Sequence, residues 1–530
     1  MPVWVWLWML VAAVGAQEVN LRNANLYLEH PDVRVQRAGI PLEIVRVYNS
    51  RSNVNGRFGY GWTTNLDIVA FAAPDGSMLV SDSDGFILRF TFGGEPRERV
   101  MVRYVDALVK ARQDQDRRAG SQRSASYYEQ LRQELLTDPG RREAMGQVLQ
   151  TTKIKPKPGD YVSYDRGTEK LQLRGDGTMV RKRADGTRYE FDAEGRLRLY
   201  GDTTRRGMRL DYDREGRLTR VTHTEGGSVS LKWGPGSLVT ELLDNEGRRV
   251  KYKYDADRNL IQVLGPDQRK LAYAYDDEHN LTASRVADGT GFQVKYDKTR
   301  DWVVALKEGD SVIRYGWELL DFSRYAVTVT DPKGRKTRHE YDDEAHKSVV
   351  IGADGERTET LLSPCCAKPL EVRHADGGIT RYDYDNNARL VGIEHPDGRK
   401  VRFAYHPEWS KIIQALYSDG RRFLYKYDGA GNLIQAVDVS GRQLNLAYGR
   451  NGKVAEITDR RGNTYSFRYD PSGRPVEIAK GSQGALAIRY GAMGEIAGTE
   501  IVEGDASRGA FYAELREVLA MLEPATGQVQ

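Results

Sequence analysis

Between residues 156 and 495, apolar and polar positions alternate in short runs, such as RRFLYKY (421–427), NLIQAVDV (432–439) and NTYSFRY (463–469). Runs of six to ten residues with a period of two, rich in Tyr, Val, Leu and Ile, predict β-strands. Between the runs stand Asp-Gly-Arg at 397–399 and 419–421 and Asp-Pro-Ser-Gly at 470–473. These predict tight turns, because Gly reaches positive φ and Asp hydrogen-bonds its own backbone. One unit therefore reads strand, turn, strand, turn: a β-hairpin with an aromatic residue just before its turn.

The units repeat at a fixed interval. In YKYDADRNLIQVLGPDQRKLAYAYDDEHNL (252–281), Tyr254-Asp255 is followed 21 residues later by Tyr275-Asp276. The same step links Phe191, Tyr212, Trp233, Tyr254, Tyr275 and Tyr296, and steps of 21 or 22 link Tyr341, Leu362, Tyr384, Tyr405, Tyr427, Tyr448, Tyr469 and Tyr490. From Tyr296 to Tyr341 is 45 residues, two periods plus three, with one degenerate unit near Trp317. Glycines keep the phase, seven residues before the aromatic (Gly226, Gly247, Gly398, Gly420) or four after it (Gly195, Gly216, Gly431, Gly473). About fifteen units result. A lone hairpin cannot offset its ordering entropy, so the units are expected to stack side by side, and strand twist then forces the sheet to curl. Tyrosines in register are expected to form a ladder, with hydroxyls reaching backbone or water. A parallel β-helix is the rival reading; a leucine-rich solenoid is not, because its L-x-x-L-x-L pattern is absent.

Two stretches break the β pattern. Residues 101–155 show helical spacing at Val105, Leu108 and Val109 and at Tyr128, Leu131 and Leu135, with Pro139 placed to start a helix. This is a charged helical insertion, either a solvated excursion or a partner-docking arm. The N-terminal run MPVWVWLWMLVAAVGA reads as a signal peptide ending at Ala16, too short for a comfortable membrane span, with a buried strand as the alternative. The expected domains are thus a signal peptide (1–16), an N-terminal β segment (17–100), the helical insertion (101–155), the repeat region (156–495) and a C-terminal helix and tail (496–530). The expected location is secreted, periplasmic or on the cell surface, with no membrane span once the signal is removed.

Composition narrows function mainly by exclusion. The 79 basic and 75 acidic residues are interspersed, and no basic stripe with interleaved aromatics appears, so nucleic acid is not an expected partner. The eight His show no metal spacing, and neither a G-x-S-x-G elbow nor a P-loop is present. SDSDGF (81–86) and DADRN (255–259) begin like calcium loops but lack the acidic twelfth position, and both read as turns. No residue is assigned a catalytic, metal-binding or cofactor-binding role. The only cysteines, Cys365 and Cys366, are adjacent; they form either a vicinal disulfide or two small side chains in a strand or turn. A metal site there would need more ligands than His374 supplies.

The repeat units resemble the YD repeats of Rhs proteins and teneurins. Upstream, GIPLEIVRVYNSRSNVNGRFGYGWTTNLDIVAF (39–71) is similar to the segment opening the Rhs core, through Arg46, Tyr48-Asn49-Ser50, Gly56, Phe58-Gly59 and Gly61-Trp62. The resemblance covers 20–100 and 155–495, and its repeat-defining residues are Tyr212, Tyr254, Tyr275, Tyr296, Tyr341, Tyr384, Tyr427, Tyr448 and Tyr469. It implies an all-β fold in which tandem hairpins form a large, spiral, hollow β-shell, which in bacterial members often encloses a C-terminal toxin. The DPxGL- or DPxGxW-like motif that closes full-length family cores does not follow Asp138, Asp331 or Asp470. About 40 residues follow Tyr490, ending in an amphipathic stretch (AFYAELREVLAMLEP), and no toxin domain is recognisable there. The expected function is an exported, non-enzymatic scaffold, carrier or cell-surface interaction protein. The alternatives are a component or fragment of a polymorphic-toxin system with its effector on another chain, and a carbohydrate-binding surface protein. A polypeptide cargo and a carbohydrate are the candidate partners; no cofactor is expected.

Overall fold

The computed structural model describes residues 17–522, except 36, 38, 84, 122, 150–153, 267, 288, 365–366, 408–409, 430, 450–451, 471–473, 482, 491–495 and 504–507. The expected signal peptide and the Cys365–Cys366 pair lie outside the described residues. The chain divides into two compact units: residues 1–66 with 200–530, and residues 67–199.

In the larger unit, strands from Gly207–Tyr212 to Ile496–Glu503 follow one another in sequence order, each antiparallel to the next. A parallel β-helix is thereby excluded. The period-two pattern decides the faces: in Arg249–Tyr254, Val250 and Tyr252 are buried while Arg249, Lys251 and Lys253 are exposed. At nearly every repeat aromatic the register shifts, as between Lys253 and Tyr254, Ala274 and Tyr275, and Lys426 and Tyr427. A β-bulge sharpens the local right-handed twist, so the sequence period is also a period of extra twist. The irregular stretch around Trp317 becomes a longer hairpin, Ser311–Leu319 with Arg324–Thr330, whose tip leaves Phe322 fully exposed.

The buried face is covered at two places. An N-terminal antiparallel sheet, Gln17–Val19, Leu26–Val35, Leu42–Asn49 and Trp62–Thr64, lies over the earlier repeats. It is tied there by Val239 N–H to the Arg57 carbonyl (2.9 Å) and Val303 N–H to the Ala24 carbonyl (3.0 Å). A C-terminal helix, Arg508–Leu522, covers later repeats: Leu515, Val518 and Leu519 pack with Leu444, Leu446, Ile457 and Tyr465. Its rim is held by ion pairs Lys480–Glu514 and Arg442–Glu517.

In the smaller unit, strands Val69–Ala72, Met78–Ser81, Ile87–Phe92, Gly159–Ser163, Glu169–Leu173, Met179–Lys182 and Arg188–Phe191 form an antiparallel sheet. Its ends meet through a bridge between Val69 and Arg196. Between the third and fourth strands stand three helices, α1 (Arg97–Arg118), α2 (Ala125–Thr137) and α3 (Pro139–Val148). They share a core of Val105, Leu108, Tyr128, Leu131 and Leu135. Ser124 and Asp138 cap α2 and α3 with their side chains, and Pro139 starts α3. The C-terminal helix is α4 below. No described helix is long and apolar enough to cross a membrane.

Candidate functional site

Each repeat uses its Tyr and its Asp for distinct structural bonds. The Tyr hydroxyl donates to the carbonyl 15 residues earlier: Tyr254 to Val239 (2.6 Å), Tyr275 to Leu260 (3.0 Å), Tyr296 to Leu281 (3.0 Å), Tyr427 to Ile412 (2.8 Å), Tyr448 to Leu433 (2.9 Å) and Tyr469 to Val454 (2.8 Å). The contact that recurs is thus hydroxyl to carbonyl, locking each hairpin to the one before. Burial pushes these hydroxyls up; Tyr427 and Tyr448 reach about 12, so they remain protonated donors. Trp233 substitutes its indole N–H, donating to the Leu218 carbonyl at 2.9 Å. Tyr212 shares the register shift of the series. Two residues behave differently: Tyr341 stacks on Tyr325 (5.0 Å) beneath Arg22, and Tyr384 lies 5.4 Å from the Lys368 ammonium.

The Asp that follows closes the turn. Asp428 Oδ1 accepts from the Asn432 backbone N–H (2.9 Å) and Oδ2 from its side-chain amide (2.9 Å). Asp385 and Asp470 hold Arg389 and Arg474 in the same way. The residue three after the Asp is left-handed, as at Gly431 (φ 82°), and the same conformation is forced on Arg258 (φ 68°), His279 (φ 66°) and Ala388 (φ 56°).

The most unusual chemistry lies where the N-terminal sheet meets the early repeats. Arg46, 1% exposed, forms a two-point ion pair with Asp32: Nε to Oδ2 at 2.5 Å and Nη2 to Oδ1 at 2.9 Å. Tyr252 donates to Asp32 Oδ2 (2.6 Å), and the guanidinium lies 4.7 Å from the Trp62 ring centroid. Burial opposes the charge on Arg46, but facing Asp32 outweighs it and holds the group above its ordinary range. His30 is driven down to about 3 by burial and then by Arg46, and stays neutral. Trp62 donates to the Tyr275 hydroxyl (2.9 Å), and Leu281 N–H donates to Tyr48 Oη (2.8 Å). The glycines between these aromatics are there for close approach. A Cβ on Gly59 would stand 2.2 Å from the Arg258 carbonyl, and one on Gly61 would stand 2.6 Å from the Tyr48 ring.

Arg46, Tyr48, Phe58, Gly59, Gly61 and Trp62 were singled out by their motif, and the structure brings them together. Sequence reasoning missed Asp32, His30, Tyr252 and Tyr273. A signal existed for two of them: YKYD and AYAYD each carry a second Tyr two positions before the repeat Tyr, and these second tyrosines face Arg46. The smaller unit has its own buried guanidinium, Arg181, between Glu169 (2.6 Å) and Asp82 (3.0 Å). Every charge here has an opposite partner, an arrangement suited to fixing one strand arrangement rather than to transferring protons. Among the described residues no three His, Cys, Asp or Glu gather as a metal site would require.

These features define a tandem β-hairpin protein with a motif-bearing N-terminal segment laid on its repeats. The model of a domain of unknown function (DUF6531) matches residues 16–90, and that of the RHS Repeat matches 448–485. The RHS Repeat match falls on the repeats themselves, in agreement with their sequence resemblance to the YD repeats of Rhs proteins. The chain matches no curated protein. Similar solved structures include the TcdB2-TccC3-Cdc42 crystal structure (11% identity, TM-score 0.41, covering 92% of this chain and 28% of that one). The Photorhabdus luminescens Tc holotoxin pore gives 11% identity and a TM-score of 0.39, covering 91% of this chain and 28% of that one. The TcdB2-TccC3 crystal structure gives 12% and 0.38, covering 91% and 29%. The chain thus spans 28–29% of the length of these structures.

Proposed function

We propose that this chain is an exported, non-enzymatic Rhs scaffold that encloses or presents a polypeptide, acting as a component of a toxin-complex-like assembly whose effector is carried elsewhere. One observation carries the reading. The side chains that recur with chemical potential, the repeat Tyr and Asp, are committed to carbonyls and turn backbones, and the buried arginines are committed to carboxylates. A surface made this way offers extent and rigidity rather than a reacting group. The toxin-component reading follows from the resemblance of the repeats to those of Rhs proteins, whose shells in bacterial members often enclose a toxin.

The test is co-expression of the full chain with the product of the adjacent reading frame. Co-elution on size exclusion, with the second polypeptide protected from added protease, is the expected outcome. Failure to associate, or nuclease, protease or glycosidase turnover by the pure chain that one point substitution abolishes, overturns the proposal. Recovery of a chain beginning near Gln17 outside the cytoplasm tests the export step.

A further inference from the structure

The slip of three residues in the repeat interval falls on a single hairpin. From Tyr296 to Tyr341 is 45 residues, three more than two periods of 21. In other repeats the aromatic is followed at once by its turn Asp, as in Tyr254-Asp255, Tyr275-Asp276 and Tyr427-Asp428. After Trp317 three residues intervene, Glu318, Leu319 and Leu320, before Asp321. Trp317 still does what the repeat aromatic does, donating its indole N–H to the Val303 carbonyl at 2.7 Å. Asp321 still closes the turn: Oδ1 accepts from the backbone N–H groups of Ser323 (3.0 Å) and Arg324 (2.9 Å), and Oδ2 accepts from Arg324 Nε (2.7 Å). The extra residues therefore lengthen the hairpin without loosening its tip.

What they add is apolar. Turns elsewhere read DADRN (255–259), DDEHN (276–280) and DGAGN (428–432), whereas this tip reads LLDFS (319–323). Leu319 is 60% and Leu320 41% exposed, and Phe322 is fully exposed. Behind the tip Trp302 and Trp317 lie 5.6 Å apart, both half-buried, with the Arg300 guanidinium 4.8 Å from the Trp302 ring centroid. Cations surround this hairpin. Lys298 and Arg300 belong to the preceding turn, and one directly paired row on the outward face runs Lys295, Ala305, Arg314, Thr330 and Lys336. Lys295, Lys298, Arg300, Arg314 and Lys336 are exposed, and none forms an ion pair among the described residues. Further along the same outward face, Arg338 pairs with Glu340 and Lys347 with Glu359. We propose that this hairpin tip inserts into the surface of an anionic lipid bilayer. The interface of a bilayer accepts a protruding apolar tip without a matching pocket, takes Trp rings at headgroup depth, and presents phosphates to Lys and Arg. A nucleic acid would answer the cations but leave Leu319, Leu320 and Phe322 in water. The row of cations crosses five strands, about 19 Å, which suits an extended layer of phosphates better than the rim of one protein groove.

The experiment is flotation of the full chain with phosphatidylcholine vesicles, with and without about one third phosphatidylglycerol, at about 0.1 M salt. The chain should float with the anionic vesicles and partition about tenfold or more weakly onto phosphatidylcholine alone. Phe322→Ser should lower partitioning onto anionic vesicles about tenfold or more, and Phe322→Trp should retain it. Reversing two charges at the neighbouring turn, Lys298→Glu with Arg300→Glu, should also lower it about tenfold or more. Val439→Ser, which removes an exposed aliphatic side chain from a different hairpin tip, should leave it unchanged. Circular dichroism checks that each variant is folded. The proposal is overturned if the chain does not float with anionic vesicles, if Phe322→Ser floats as the parent does, or if Val439→Ser loses as much. It is equally overturned if Phe322→Ser abolishes co-elution with the adjacent frame's product while flotation persists, because the tip then belongs in a protein groove. Flotation uses the chain alone, so its failure and that of the scaffold reading are distinguishable.

Discussion

Replacing Arg46 with Met removes the cation from a site where its counter-charge cannot reach water. Asp32 would keep the Tyr252 hydroxyl at 2.6 Å but lose both guanidinium bonds, at 2.5 and 2.9 Å, with its side chain only 5% exposed. Breaking a buried pair from one side typically costs about 3–5 kcal/mol, mostly the penalty of the orphaned carboxylate. The contact of the guanidinium with Trp62 adds to the loss. Removing both charges, Arg46→Met with Asp32→Leu, should recover most of it, because two isolated desolvation penalties vanish together. Hydrogen exchange is the suitable assay, since a repeat chain of this length need not unfold in one step. The single variant should lower protection in strands Arg249–Tyr254 and Lys270–Tyr275 by that amount, and the double variant by less than about half of it. Loss of under about 1 kcal/mol in the single variant, or equal losses in both, refutes the argument that the pair pins the N-terminal sheet to the repeats.

Tyr448→Phe should cost about 1 kcal/mol by leaving the Leu433 carbonyl without its 2.9 Å donor, measured as a shift in urea midpoint; no shift contradicts the clamp. Gly431→Val should destabilise by about 1–2 kcal/mol because φ is 82°, whereas Ala388→Gly, relieving φ of 56°, should stabilise by a few tenths to about 1 kcal/mol in the same assay. His30 titrates near 6.5 when unfolded but near 3 when folded, so the unfolded chain binds its proton first. The stability it contributes is complete above about pH 6.5 and is lost as pH falls toward 3, and His30→Gln should flatten that part of a stability–pH profile. Deleting residues 505–530 should expose Leu444, Leu446 and Ile457 and promote aggregation, read by light scattering.

The repeat and its turns were legible because they are local. Alternation places Val250 and Tyr252 on one face, Asp and Gly terminate most strands, and the interval of 21 or 22 puts nearly every repeat Tyr at the same bulge. The helical insertion was legible for the same reason, since α1–α3 carry their own core through spacing visible within each helix. What periodicity could not disclose is which partner each Tyr hydroxyl takes, or that Tyr252 meets Asp32, 220 residues away in the chain. Nor does it reveal which repeats are covered: Tyr252 and His339 lie on the same face, but one is closed beneath the N-terminal sheet and the other half-exposed. Alternation sets the two faces of a strand, because that depends only on neighbouring backbone geometry. Covering a face requires a distant segment to be brought over it, and the buried charge at Arg46 is tolerable only because that docking supplies Asp32, Tyr252 and Trp62 together.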